Sequence, residues 1–257
     1  KLNALAFELK AKGIRIVGVK LWYGQAFTNA KYFVSLLKRC APGIIIVAGG
    51  YHLTLYEEHL MEKSAFDLGV VCEGEFALEK ILTIIDEYKE PWDKRKVLDK
   101  IASLAQQGTI ENLIYRKEGK LYKTKRKDIT VHSAKSIPRY TLNQHKVSVH
   151  VMVESLGCDW GRCHFCVHPY FYPHYSLREP QEIVKEIEAM MRVGIGVFRF
   201  AGSDTPPAFG AKIGQKILEK DLKIVFGMGS RAIRGAKNNF QSLADSYSIL
   251  INAGLRA

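Results

Sequence analysis

The sequence predicts an α/β protein, and three observations carry the prediction. Short apolar runs alternate with stretches of helical periodicity along residues 1–90. The same alternation returns after Lys146, with three strand–helix units. No strand in either stretch is followed at once by a second one, so each connection is long enough for a helix, as parallel pairing requires. Residues 1–90 thus read as a doubly wound, parallel, Rossmann-like sheet.

Leu2–Lys12 is helical by pattern and stops at Gly13. Ile14–Leu21 is a short apolar run, expected as a buried strand. Phe27–Cys40 is a helix with Tyr32, Phe33, Leu36, Leu37 and Cys40 on one face, which makes Cys40 a small core residue. Ile44–Ala48 is a strand ending in Gly49-Gly50, where the backbone is open to close approach by a ligand or a neighbouring helix. A helix over Leu55–Lys63, a strand over Leu68–Cys72 and a helix over Phe76–Tyr88 complete the alternation, with Cys72 expected to be structural.

Residues 91–146 read as a linker. It carries basic clusters at Lys94-Arg95-Lys96 and Lys123–Lys127, expected to face solvent, and a small exposed hairpin of Leu113–Arg116 and Lys120–Tyr122. Ile137-Pro138-Arg139-Tyr140 leads out of it.

Val147–Glu154 alternates, with valines at 147, 149, 151 and 153 on one face and Ser148, His150, Met152 and Glu154 on the other. This is a strand, and Cys158, Cys163 and Cys166 lie on the loop leaving its C-terminal end. In parallel α/β folds that edge is where chemistry collects. Three clustered thiols have several uses. A disulfide leaves one over. Zinc needs a fourth ligand, for which His164, His168 and His174 are candidates. An iron–sulfur cluster held by three thiolates keeps one iron open.

An aromatic stretch, Val167–Tyr175, follows, able to shield a cluster or simply to pack. Glu179-Pro180 opens a helix whose buried face is Ile183, Val184, Ile187, Met190 and Met191. Strand Val197–Phe200, helix Phe209–Lys220, strand Leu222–Gly227 and helix Phe240–Ala253 come next.

With 257 residues, 47% hydrophobic and 25% charged, the chain has ample core. No apolar run approaches the roughly twenty residues of a membrane span. Five cysteines, an odd number, fit a reducing cytoplasm. The net charge of +12 admits an anionic partner. No basic stripe interleaved with aromatics accompanies it, so solvated lysine is the plainer explanation. The chain opens without Met inside a helical pattern, and is expected to belong to something longer.

The order of strand, Gly157-Cys158, a cysteine loop with Phe165 before the last cysteine, and then helix resembles the radical S-adenosylmethionine superfamily. That superfamily usually has three residues between its first two cysteines. This loop has four, as in some members. The resemblance implies a partial (β/α) TIM-type barrel over 147–257, and a 4Fe-4S cluster on Cys158, Cys163 and Cys166 whose open iron is chelated by S-adenosylmethionine. Gly202, Ser203 and Asp204 stand where the family has a Gly-Gly-Glu-like motif for the methionine amino group. Arg231, beside Ser230, resembles positions near the methionine carboxylate, and Phe165 is assigned to the same cofactor.

A second resemblance covers the front of the chain. Ile16-Val17-Gly18, Val47–Thr54 with its Gly49-Gly50 pair, and Glu73-Gly74-Glu75 are similar to the later half of a cobalamin-binding domain. In that family the glycine pair lines the groove for the nucleotide tail. Lys20 falls where the family's Ser-x-Leu serine is expected. His52 is assigned to the loop or an interface, and not to cobalt.

Together the resemblances imply a cobalamin-dependent radical enzyme. It would cleave S-adenosylmethionine to a 5′-deoxyadenosyl radical and transfer a methyl group to an unactivated carbon of a small-molecule or peptide substrate. Flavodoxin or ferredoxin would supply electrons. Two other readings remain: a radical enzyme whose front domain binds no cobalamin, and a zinc-stabilised, basic nucleic-acid-binding module.

Overall fold

Ile44–Ala48 cannot alternate between core and water, because every residue in it is apolar, so its strand must be covered on both faces. The computed structural model bears this out. It describes residues 1–22, 24–88, 91–127, 149–231 and 240–256, divided between two compact units, Lys1–Asp128 and Ile129–Ala257.

The first unit runs α1 (Leu2–Ala11), β1 (Ile16–Lys20), α2 (Gln25–Cys40), β2 (Ile45–Gly49), α3 (Tyr51–Glu62), β3 (Leu68–Val70), α4 (Glu75–Glu87), α5 (Lys94–Gln106), β4 (Leu113–Lys117) and β5 (Lys120–Lys123). Its strands lie in the order β1-β2-β3-β4-β5. The first three are parallel, and β4 and β5 are antiparallel additions. Ile45 and Val47 point into a core with α4 and α5, whereas Ile46 and Ala48 point into one with α1, α2 and α3. The sheet is therefore doubly wound, as expected.

Four expectations change in this unit. The Ile14–Leu21 run forms an edge strand, β1, which is only partly buried because it pairs with β2 alone among the described residues. The hairpin assigned to the linker is the antiparallel end of the sheet, with Leu113, Ile114 and Tyr115 all buried. The linker also hides a helix. Asp93 caps α5 by accepting from Arg95 N at 3.0 Å and Lys96 N at 3.2 Å. Behind that cap, Val97, Ile101, Ala102 and Ala105 recur on the buried face. Lys94, expected in solvent, is instead 15% exposed and pairs with Asp67 at 2.8 Å. Asp67 also accepts from Ile46 N at 2.8 Å and from Lys38, so one partly buried carboxylate ties β2, α2 and α5 together.

The second unit runs β6 (Val149–Met152), β7 (Ser155–Leu156), α6 (His168–Phe171), β8 (Ser176–Leu177), α7 (Pro180–Met191), β9 (Val197–Phe200), α8 (Pro207–Glu219), β10 (Val225–Met228) and α9 (Phe240–Ala253). Strands β6, β9 and β10 are parallel neighbours in chain order, with Val149, Val197 and Val225 in register. Each is followed by a helix, which is how a (β/α) barrel wall is laid down. An isolated parallel bridge from Leu255 to Phe226 continues that order. Met152, Phe198, Phe200 and Phe226 meet Ile183, Ile187, Ile213, Ile217 and Leu250 in the core.

Alternation in β6 did not say which face is covered. His150, Met152 and Glu154 are buried, while Val149, Val151 and Val153 are 49%, 57% and 40% exposed. The polar residues can go inside because they have partners. His150 Nε2 lies 2.7 Å from Glu186 Oε1, and Arg178 Nη1 donates to Glu186 Oε2 at 2.7 Å and to Val153 O at 3.1 Å. Ile137–Tyr140 lies outside the described residues.

Candidate functional site

Parallel strands end together, so the loops after them share one edge. In the first unit this edge holds a cavity of about 410 Å³ lined by Gly18, Lys20, Gly49, Gly50, Cys72, Gly74 and Glu75 among others. Lys20 is in register with Gly49, which places the two strand ends at one level. Gly50 is a tight point: an added Cβ would come within 3.0 Å of Leu21 O and 3.2 Å of the Lys20 side chain. Thr54, 1% exposed, links two lining residues from behind, donating to Gly50 O at 3.3 Å and accepting from Cys72 N at 2.9 Å. Cys72, expected as purely structural, lines the cavity wall. The expected pair Gly49-Gly50 lies in this site, and His52 does not line it. Its ring packs edge-on against Phe27 and Tyr56, each at 5.0 Å.

Beside the cavity, burial and then the neighbouring Glu75 charge push the Glu73 carboxyl up to about 7. The folded state therefore holds a proton on Glu73 that the unfolded chain has released. Its stabilising effect is complete below the ordinary value of 4.5 and is lost as pH rises through about 7. The expected result is a urea midpoint that falls across that window in the wild type and falls less in Glu73→Gln. Parallel pH curves would contradict it.

In the second unit the cysteine loop leaves β7, and β7 is held by pairing with β8: Ser155 opposite Leu177 and Leu156 opposite Ser176. Cys158 and Cys166 are partly buried, Cys163 is exposed, and all three are free thiols. Cys166 N donates to Cys163 O at 3.0 Å, folding the last two into one turn.

The ends of β9 and β10 come to this loop. Asp204, 4% exposed, accepts from Arg231 N at 3.0 Å. The Arg231 guanidinium forms a two-pronged pair with Asp159, at 3.0 and 3.3 Å, and reaches Asp204 at 3.9 Å. It also lies over the Trp160 ring at 5.6 Å, with Arg162 over the same ring at 5.4 Å. Cys158, Asp159 and Asp204 offer ligand atoms within 4.8 Å of one another. Arg231 already neutralises part of that charge, so this trio is poorly suited to hold a lone cation. Ser203 Oγ is 2.5 Å from His168 Nδ1. Burial and then the charge of Asp204 push the Tyr175 hydroxyl well above its ordinary value, so it stays protonated and donates to Asp204 O at 3.2 Å.

Of the residues expected to bind S-adenosylmethionine, Ser203, Asp204 and Arg231 thus join the network at the cysteine loop, and Gly202 precedes Ser203 with its N–H on the Glu154 carboxylate. Phe165 and Ser230 stand apart from it: Phe165 is 89% exposed, and the Ser230 hydroxyl donates to the carbonyl of its own neighbour, Arg231. The sequence gives no site role to Asp159 or Tyr175, and it offers His168 only as a zinc ligand, whereas its ring meets Ser203. The aromatic crowding at 167–175 was the available signal for Tyr175 and His168.

The donor sets suit the groups that the sequence suggested. Three free thiols on one loop, with no disulfide among them, can hold a cluster at one face and leave it open at the other. A buried carboxylate beside a guanidinium is complementary to an amino-acid zwitterion. The glycine-lined cavity admits a flat group against bare backbone.

The fold is that of a doubly wound α/β domain followed along the chain by a parallel βα wall. Residues 3–82 match the B12 binding domain family. The anaerobic magnesium-protoporphyrin IX monomethyl ester cyclase of Rubrivivax gelatinosus is 26% identical over 223 residues, covering 80% of this chain and 37% of that protein. Among solved structures, the cobalamin-dependent S-adenosylmethionine radical enzyme OxsB aligns over 99% of this chain and 36% of its own, with TM-score 0.70 and 16% identity. The radical S-adenosylmethionine methyltransferase TsrM from Kitasatospora setae, with cobalamin and a 4Fe-4S cluster bound, aligns over 99% of this chain and 51% of its own, with TM-score 0.71 and 16% identity. The chain thus spans about a third to a half of the length of these relatives. Residues 3–82 thus resemble the B12 binding domains, and along its length the chain is similar in sequence to the cyclase and in fold to cobalamin-dependent radical S-adenosylmethionine enzymes. No helix among the described residues is long and apolar enough to cross a membrane.

Proposed function

We propose that the chain supplies the cofactor-binding parts of a cobalamin-dependent radical enzyme that methylates an unactivated carbon. A 4Fe-4S cluster, when bound, supplies the electron that cleaves the sulfonium of S-adenosylmethionine, and cobalamin supplies the methyl group. The observation that carries this reading is the meeting of the Cys158 loop with Asp204 and Arg231 at the ends of three parallel strands.

The roles follow from the groups present. Cys158, Cys163 and Cys166 hold the cluster as thiolates. Asp204, partly desolvated, receives an ammonium group, and Arg231 receives a carboxylate. The Asp159–Arg231 pair anchors that guanidinium one residue from Cys158, so that the amino-acid end of the cofactor is oriented toward the cluster before reaction. Trp160 and the aromatic stretch 167–175 exclude water around it. Gly49 and Gly50 line the cavity for the nucleotide tail of cobalamin. The substrate is a small molecule or a peptide, and a flavodoxin or ferredoxin in the cytoplasm serves as electron donor.

A second reading keeps the radical chemistry without cobalamin. Lys20 favours it, because a long cation stands on the cavity wall where the family has a small hydroxyl. The test is the metal, sulfide and corrinoid content of the full-length protein, purified without oxygen and offered cobalamin. Iron and sulfide near about four each, absent from Cys163→Ala, together with bound corrinoid, is the expected result. Iron without corrinoid would select the second reading. Zinc in place of iron would overturn both and revive the nucleic-acid module.

A further inference from the structure

Glu154 is 0% exposed, and nothing in the chemistry above uses it. Both of its carboxylate oxygens accept the single N–H of Gly202, Oε1 at 3.1 Å and Oε2 at 3.0 Å. Oε1 also accepts the hydroxyl of Thr205, itself fully buried. The next residue, Ser155, donates to Asp204 O at 3.1 Å. Two consecutive side chains just past β6, at the start of β7, therefore grip the loop that follows β9.

The grip leaves no slack. A Cβ at Gly202 would lie 2.0 Å from Ser155 Oγ and 2.4 Å from Glu154 Oε1, so only glycine fits between them. Such a fit has a cost. Burying a carboxylate is unfavourable unless it is well hydrogen-bonded. Burial raises the Glu154 carboxyl above its usual range, and the bonds from Thr205 and Gly202 oppose that rise without cancelling it. An apolar side chain would fill the space at less cost, but it could not aim the loop.

We propose that Glu154 is a positioning residue for the S-adenosylmethionine subsite. By fixing Gly202 and Thr205 on either side of Asp204, it sets where the Asp204 carboxylate meets the cofactor's ammonium group. The inference rests on the assignment of that loop made above. It requires a carboxylate specifically. A glutamine would present one acceptor and one N–H₂, and the latter would face the Gly202 N–H donor to donor.

The test uses the full-length protein with its cluster reconstituted. Iron content, thermal midpoint and the dissociation constant for S-adenosylmethionine, by equilibrium dialysis, are measured for wild type, Glu154→Gln and Thr205→Val. Ile217→Ala serves as a control that loosens the α8 core without touching the loop. The expected result is retained iron, a dissociation constant raised about tenfold in Glu154→Gln and less in Thr205→Val, and no change in the control whatever its midpoint. Cobalamin affinity should stay constant throughout. If Glu154→Gln binds S-adenosylmethionine within about twofold of wild type, the proposal is overturned. Should that variant lose its cluster, an unchanged constant in Thr205→Val overturns it equally. A wild type with full iron that does not bind S-adenosylmethionine refutes the loop assignment itself, and the inference falls with it.

Discussion

Gly157→Ala is expected to strip most of the iron from the cysteine loop even though all three thiols remain. Gly157 has φ of +75°, a left-handed conformation that costs an ordinary side chain roughly 1–3 kcal/mol. Sterics add to this, because an alanine Cβ would lie 2.5 Å from His174 O and 3.0 Å from His174 C, which are backbone atoms that cannot swing aside. The loop must therefore lift away from the segment before β8. Cys158 is the next residue, and it moves too. Cys163 and Cys166, held in their own turn, lose their partner. On the proposed reading, iron per chain should drop to below about half of the roughly four expected of the wild type, and corrinoid uptake should equal that of the wild type. Full iron content in Gly157→Ala would show that the loop tolerates the shift and that the glycine is not needed there.

Arg178→Met is the second large effect, and it acts on stability. Glu186 is 5% exposed and receives bonds from His150 and Arg178. Burial pushes its carboxyl up, but those two bonds and the accompanying charges outweigh burial and hold it below the usual range. Its contribution is therefore present above the unfolded value and lost as pH falls through the lowered one. Removing Arg178 leaves a buried carboxylate with one partner, and breaking a buried pair from one side costs about 3–5 kcal/mol. The triple change Arg178→Met, Glu186→Leu, His150→Leu should recover most of that loss, since no charge is left stranded. Equal denaturant midpoints for wild type and Arg178→Met would sink the argument, as would a triple variant less stable than the single one.

The burial of His150 and Glu154 also marks where sequence reading stops. Their alternation with valines identified a strand, but period-two patterning is blind to which face is covered. The polar face proved to be the inner one, because Glu186 arrives from a separate helix to pair with His150, with Arg178 bonded to its other oxygen, and Thr205 and Gly202 arrive to pair with Glu154. No local window contains those partners. The α5 helix was legible in principle, since Asp93 is a good cap and Val97, Ile101 and Ala105 keep helical spacing. Its first turn, Lys94-Arg95-Lys96, has the composition of a solvent-facing linker and masks that pattern.

Sequence by itself determined the alternating α/β plan, the two-sided burial of Ile44–Ala48, the loop that carries Cys158, Cys163 and Cys166, and the glycine pair at the cavity. Each is set by local periodicity, turn chemistry or a short motif. Only the tertiary structure decided that Asp159, Asp204 and Arg231 share one network, and that Glu154 grips Gly202. It also decided that the hairpin closes the first sheet. Those outcomes depend on which strand ends are neighbours, and strand order is set by long-range packing that no short stretch of sequence records.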